Sequence, residues 1–208
     1  MGVQQFDYGK SALLVYNMQE GNPNRNTIVP NLLRNVRRLV DACHEAGRPV
    51  VFGQHISLPA GYQPRYYAYW LSTLGEDVGA WSEKWADGAP ATQIVPELKP
   101  SVEDLVIKKH VASLFVETNA EVVLRSKGVE TLILTGVTTE HGIDSTARHA
   151  SFLGFMPVIV EDAVGSKKPE YKAASLLILK NVFHCDVRST DYVVDQIRRS
   201  AGLSRSPS

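Results

Sequence analysis

At 208 residues, 44% of them hydrophobic, the chain is long enough for one domain with a substantial core and has the composition of an ordinary soluble globular protein. Twenty-two basic residues balance 22 acidic ones, so bulk charge draws it to neither nucleic acid nor an anionic membrane. No apolar run approaches the roughly 18 residues of a membrane span, and the two cysteines, Cys43 and Cys185, suggest neither a disulfide framework nor a zinc motif.

The first residues lack a charged-then-apolar leader pattern, and Phe6 stands where a myristoylation site wants Ser or Thr. A cytoplasmic protein is the expectation. Residues 11–17 form a short apolar run, read as a buried strand. Leu32, Leu33, Val36, Leu39, Val40 and Cys43 recur at helical spacing over residues 30–46, and Gly47 stops that helix. A second strand covers residues 49–52 and continues toward Gln54 and His55. Residues 56–100 are rich in Pro, Gly, Tyr and Trp, too long for a plain loop, and should hold short helices and carry function. A third strand is expected at 104–108, a helix at 117–127 ended by Gly128, and a fourth strand at 131–135. A helix at 140–153, a strand at 157–160, a helix at 169–182, a short strand at 184–188 and a helix at 190–200 complete the reading. The whole is expected to be one domain, with flexible tails at 1–8 and 202–208.

Strand and helix alternate throughout. That predicts an α/β, Rossmann-like three-layer α/β/α architecture, with a mostly parallel six-stranded sheet and helices on both faces. Ligands in such sheets bind at the carboxyl ends of strands near the topological switch point. Asn17, Lys109 and the loop from Gly136 to Gly142 all lie at strand ends and become candidates for one site.

Three segments carry a resemblance. The first is Ala12-Leu13-Leu14-Val15-Tyr16-Asn17-Met18-Gln19. The second runs from Asp104 through Lys108-Lys109-His110-Val111-Ala112-Ser113-Leu114-Phe115. The third is Gly136-Val137-Thr138-Thr139-Glu140-His141-Gly142-Ile143-Asp144, continuing to Ala150. Over about residues 11–197 the chain resembles the isochorismatase-like, or cysteine hydrolase, superfamily. The resemblance implies a hydrolase of small molecules, commonly a dimer or tetramer. It places the family's catalytic lysine at Lys109, a cis peptide bond at Val137–Thr138, and backbone donors for developing negative charge over the loop that follows. It also exposes two departures. The position of Asn17 is usually an aspartate that moves a proton, and a carboxamide cannot do so near neutral pH. The position of Gly142 is usually the attacking cysteine, and glycine has nothing to attack with. The isochorismatases proper share that glycine and cleave a vinyl ether without a covalent intermediate, but they keep the acid.

Asn17, Lys109, Gly142 and His141 are therefore the catalytic candidates. The rival roles are turn chemistry for Asn17, a solvated surface lysine beside Lys108, close packing at Gly142 and a core-facing ring for His141. Gly142 would make room for a substrate or water where a thiol would have stood. His141, titrating near neutrality, is the natural substitute for the missing acid. Glu140 either joins it or complements the helix dipole, and Glu20 is a further displaced acid. His55, Val137, Thr138, Tyr66, Trp70 and Trp85 are substrate-binding candidates, the aromatics serving as a cap or as a subunit interface. Metal-binding relatives use an aspartate and two histidines in the region where only His55 is present, so no metal is expected, and no cofactor. The leading functional expectation is a hydrolase, or related lyase, acting on a small carboxylated or cyclic metabolite without a covalent cysteine intermediate. The alternatives are a relaxed family member that binds a metabolite or partner without turnover, and an Asp-to-Asn substituted form of a vinyl ether hydrolase. The expected partners are a small-molecule substrate and further copies of the chain, as a homodimer or homotetramer, with no nucleic acid and no membrane.

Overall fold

The computed structural model describes residues 6–22 and 30–203. Its strands are β1 (Ser11–Tyr16), β2 (Val50–His55), β3 (Leu105–Lys109), β4 (Thr131–Val137), β5 (Met156–Gly165) and β6 (Asp186–Arg188). They form one sheet in the order β3-β2-β1-β4-β5-β6. Every pairing is parallel, where a mostly parallel sheet was expected. All residues of β1, β2 and β4 are buried, as strands covered on both faces must be. The strand order reverses between β1 and β4, and a crevice opens beyond their carboxyl ends at such a reversal.

The helices are α1 (Pro30–Glu45), α2 (Arg65–Thr73), α3 (Val78–Lys84), α4 (Ala120–Ser126), α5 (Asp144–Phe152), α6 (Pro169–Asn181) and α7 (Thr190–Ser200). Alternation along β1 sorts them onto two faces. Leu13 and Val15 pack with Val36 and Leu39 of α1 and Val193 and Ile197 of α7. Ala12, Leu14 and Tyr16 point the other way, to Leu124 of α4, Ala147 of α5 and Leu179 of α6. Burying side chains of this size stabilises the fold by roughly 1.5–3 kcal/mol each. Helices α2 and α3 stand apart around Leu71, Trp81 and Trp85, inside the aromatic insert.

Where elements differ from the sequence expectation, local chemistry explains it. The fourth helix was expected from residue 117. Glu117 instead adopts a left-handed φ of 56°. The Thr118 hydroxyl donates to the Leu114 carbonyl and accepts from Ala120 N–H, so the helix begins at Ala120. β5 runs on to Gly165, well past the expected residue 160, because Val164 and Gly165 pair with Gly136 and Val137 after a register shift in β4. Gly136 makes that shift feasible. Its φ is 106°, and a β-carbon there would come within 2.9 Å of the Tyr16 backbone. The flexible tail was expected to reach residue 8, but residues 7 and 8 are held in place. Tyr8 is buried in the core beside α7, and Asp7 N–H donates to Thr131 Oγ1. Residues 1–5 and 204–208 of the expected tails lie outside the described residues. No helix among the described residues is long and apolar enough to cross a membrane.

Candidate active site

Three strand ends meet at one cavity of about 540 Å³. β1 stops at Tyr16 because Asn17 turns the chain with a left-handed φ of 51°, a conformation asparagine tolerates better than most residues. The turn is fixed by Asn17 N–H to the Gly53 carbonyl at 2.9 Å and by the Asn22 amide to the Asn17 carbonyl at 3.0 Å. The Asn17 side-chain oxygen Oδ1 is buried with no hydrogen-bond partner. An orphaned acceptor of this kind costs about 1–3 kcal/mol, which a ligand donor or a water would offset.

Lys109 ends β3 and is 2% exposed. Its Nζ donates to the Val111 carbonyl at 3.2 Å and lies 4.3 Å above the centre of the Tyr16 ring. Among the described residues it forms no ion pair. Burial alone pushes the amine down to about 7, because a charged form stripped of water and lacking a counter-charge is disfavoured. Lys109 is thus divided between ammonium and free amine at neutral pH.

The β4-to-α5 connection forms the third wall. The Val137–Thr138 peptide bond is cis. Residues Thr139–Ile143 then make a π turn, anchored by the Thr139 hydroxyl donating to the Gly165 carbonyl at 3.0 Å. Gly142, buried in this turn, faces Tyr16. A β-carbon added at Gly142 would fall into the Tyr16 ring, 2.5 Å from Cζ and 2.8 Å from the hydroxyl oxygen. The expected vacancy for a substrate or water is therefore filled by protein. Tyr16 is held there by donation of its hydroxyl to the Ala112 carbonyl, and burial raises its pKa well above the usual phenol range.

Aromatic residues from the insert close the cavity. Trp70 stacks on His141 with ring centres 5.4 Å apart and on Tyr67 at 5.5 Å. His55 contacts Trp85 edge-on at 5.3 Å, and its Nε2 lies 3.2 Å from the Tyr67 hydroxyl. Burial, then the Lys109 charge, hold the His55 pKa well below the usual histidine value. His141 stands at the open rim. Crowding by the surrounding protein, then Lys109, lower its pKa, while Glu140 acts against them. The Glu140 oxygen Oε2 is a second buried acceptor without a partner.

Of the residues singled out from sequence, Asn17, His55, Lys109, Val137 and Thr138 line this cavity, as do Glu140, His141, Gly142, Trp70 and Trp85. Two do not. Tyr66 is 74% exposed, and Tyr67, one position on and about 100° around α2, supplies the wall instead. Glu20 is tied by its N–H to the Gln93 carbonyl and lies off the cavity, whereas Gln19 and Asn22 line it. Tyr67 belongs to the aromatic insert expected to cap the pocket, whereas Tyr16 and Gln19 were missed by sequence reading. Tyr16 carried one usable signal, a large polar aromatic at the end of a central strand. Among the described residues no cluster of His, Cys, Asp and Glu could hold a metal ion. Cys43 is buried on α1, and Cys185 is buried just before β6. Neither lines the cavity.

A buried lysine and an orphaned carboxamide oxygen at the switch point of a parallel sheet define an α/β domain with a small-molecule cleft at its strand ends. A family profile described as "Isochorismatase domain" matches residues 11–191, and the chain belongs to that family. It is similar to N-carbamoylsarcosine amidase of an Arthrobacter species, 32% identical over 84% of this chain and 63% of the amidase. It is also similar to ureidoacrylate amidohydrolase RutB of Yersinia enterocolitica, 27% identical over 97% of this chain and 95% of that protein. A solved cysteine hydrolase from Pseudomonas syringae pv. phaseolicola superposes with a TM-score of 0.82 at 20% identity, covering 94% of this chain and 96% of the other. That likeness shows the fold.

Proposed function

We propose that the protein is a hydrolase that opens a bond in a small carboxylated or cyclic metabolite by direct attack of water, with no covalent thiol intermediate. One observation carries this reading. The Tyr16 ring fills the slot beside Gly142, and both cysteines are packed away from the cavity. In this mechanism Lys109 exchanges the proton that an aspartate at position 17 would have carried, and in its charged form it holds a developing anion. Asn17 Oδ1 accepts a hydrogen bond from the attacking water or the substrate. The backbone of residues 137–142 supplies donors to the reacting oxygen, and His141 serves the rim. The two amidohydrolase relatives support hydrolysis as the reaction class.

The free state of both cysteines supports a reducing compartment such as the cytoplasm. Exposed Phe152, Leu177 and Val182 on and beside α5 and α6 support assembly into a dimer or tetramer, which light scattering reads directly.

The test is a panel of carboxamides, ureido acids and vinyl ethers, assayed with and without iodoacetamide pretreatment. Turnover is expected to survive alkylation and to fall about 10²-fold or more in Lys109→Met. Complete inactivation with label on Cys43 or Cys185 overturns the reading. The carboxamide at position 17 favours a second one, binding without turnover. Ligand-induced stabilisation with no product across the panel selects it, and a sharp gain in Asn17→Asp identifies a disabled vinyl ether hydrolase.

A further inference from the structure

Lys109 differs from its neighbour in a way that changes its chemistry. Lys108, on the other face of β3, is exposed and pairs with Asp87 at 2.7 Å. Lys109 turns inward, 2% exposed, with a backbone carbonyl and an aromatic ring for company and no carboxylate partner among the described residues. It opens on a cavity of about 540 Å³ that has Tyr67, Trp70 and Trp85 as flat apolar walls and no cysteine on its lining. An amine without a counter-charge in such a site carries an available lone pair, which is how desolvated lysines become nucleophiles.

We propose that this cavity is a covalent site for small aldehydes and ketones bearing a flat apolar substituent, which condense reversibly with the Lys109 amine to an imine. The Nζ lone pair adds to the carbonyl carbon, and the carbonyl π pair moves to oxygen, which takes a proton from the nitrogen. The resulting carbinolamine has a hydroxyl that Asn17 Oδ1, unpaired within the protein, is free to accept from. The hydroxyl then takes one more proton, supplied from solvent at the rim beside His141, and leaves as water while the nitrogen pair closes the C=N bond; the protonated imine so formed returns its N–H proton to solvent to give the neutral imine. One water leaves for each imine formed, hydrolysis reverses every step, and no oxidant or reductant takes part. The aromatic walls would stack against the ring of the bound carbonyl compound. Protonation supports the same chemistry. With its pKa pushed down to about 7, about half of Lys109 is free amine at pH 7, on the order of a thousand times the fraction in an ordinary lysine. The inference rests on the cavity being a ligand site, as in the proposed function, but not on hydrolysis.

Benzaldehyde with sodium cyanoborohydride at pH 7, followed by peptide mass mapping, tests it. The reductant traps an imine as a stable benzyl amine. The Lys109 peptide is expected to carry at least about tenfold more label than the Lys108 site or any surface lysine. Its labelling should level off above about pH 8, while surface amines continue to gain label beyond pH 10. Lys109→Arg keeps a cation that cannot condense and should lose the cavity label. Lys109→Met serves the same purpose should the arginine not fold, and circular dichroism reports folding in each. Label spread over surface lysines with Lys109 unmodified overturns the proposal. Trapping requires no turnover, so a silent hydrolysis panel with Lys109 labelled sinks only the hydrolase reading, and the reverse outcome sinks only this one.

Discussion

A side chain at position 142 has nowhere to go while the Tyr16 ring is in place. The obvious repair, Gly142→Cys, would push its β-carbon into that ring. Overpacking of this kind costs typically about 1–3 kcal/mol. Gly142→Cys is therefore expected to lower the melting temperature and to yield no acyl-enzyme burst with amide substrates. A fully stable variant with a reactive thiol would show that the ring moves freely. The residue scale is also where the sequence was least legible. Asn17, Lys109 and Gly142 could be marked because each ends or follows a strand in a doubly wound pattern. That the ring of Tyr16 occupies the slot beside Gly142 is a tertiary fact with no local trace. Tyr66 and Tyr67 differ only by helical phase, and in a nine-residue helix beside Pro64 the sequence leaves that phase open.

The elements were more readable, since each strand was bounded by turn residues and each long helix kept its apolar spacing. What escaped was how the aromatic insert is fastened. Gln19 does this from the loop after β1. Its amide nitrogen donates to the His55 and Thr92 carbonyls at 2.9 and 2.8 Å, and its oxygen accepts from His55 N–H at 2.8 Å. Gln54 reaches the same Thr92 carbonyl at 2.8 Å. Gln19 is fully buried, so removing its amide strands polar groups with no access to water. Gln19→Ala is expected to lose about 1–3 kcal/mol of stability and to open residues 56–100 to limited proteolysis before the sheet is cut. Uniform cleavage across the chain would deny that the amide acts as a clamp.

For the molecule as a whole, the buried bases should govern its response to pH. Folding depresses the pKa of Lys109 from 10.5 to about 7. Between those values the unfolded chain binds the extra proton, so this contribution to stability is complete above pH 10.5 and is lost as pH falls to 7. His55 is depressed well below 6.5, so its contribution is present above 6.5 and is lost as pH drops further. Both push toward acid lability. Lys109→Met should remove the first part and reduce the second, because burial still depresses His55 while the Lys109 charge that adds to it is gone. Its stability gain over the parent is expected to be on the order of 3–5 kcal/mol below pH 7 and to shrink toward zero above pH 10, read from denaturant midpoints across that range. A gain independent of pH would place its origin in packing rather than in the charge. Such an exchange of stability for a poised group is common where function requires it.

The interlock between Tyr16 and Gly142 also constrains how this chain could change over time. Enlarging position 142 alone produces a collision, and shrinking position 16 alone leaves a hole and unties the carbonyl of Ala112. Both single steps are penalised while the pair exchanged together need not be, the signature of strongly coupled neighbours. A thiol at position 142 would then fit best with a smaller residue at position 16, so packing, independently of any catalytic advantage, couples the choice of residue at the two positions.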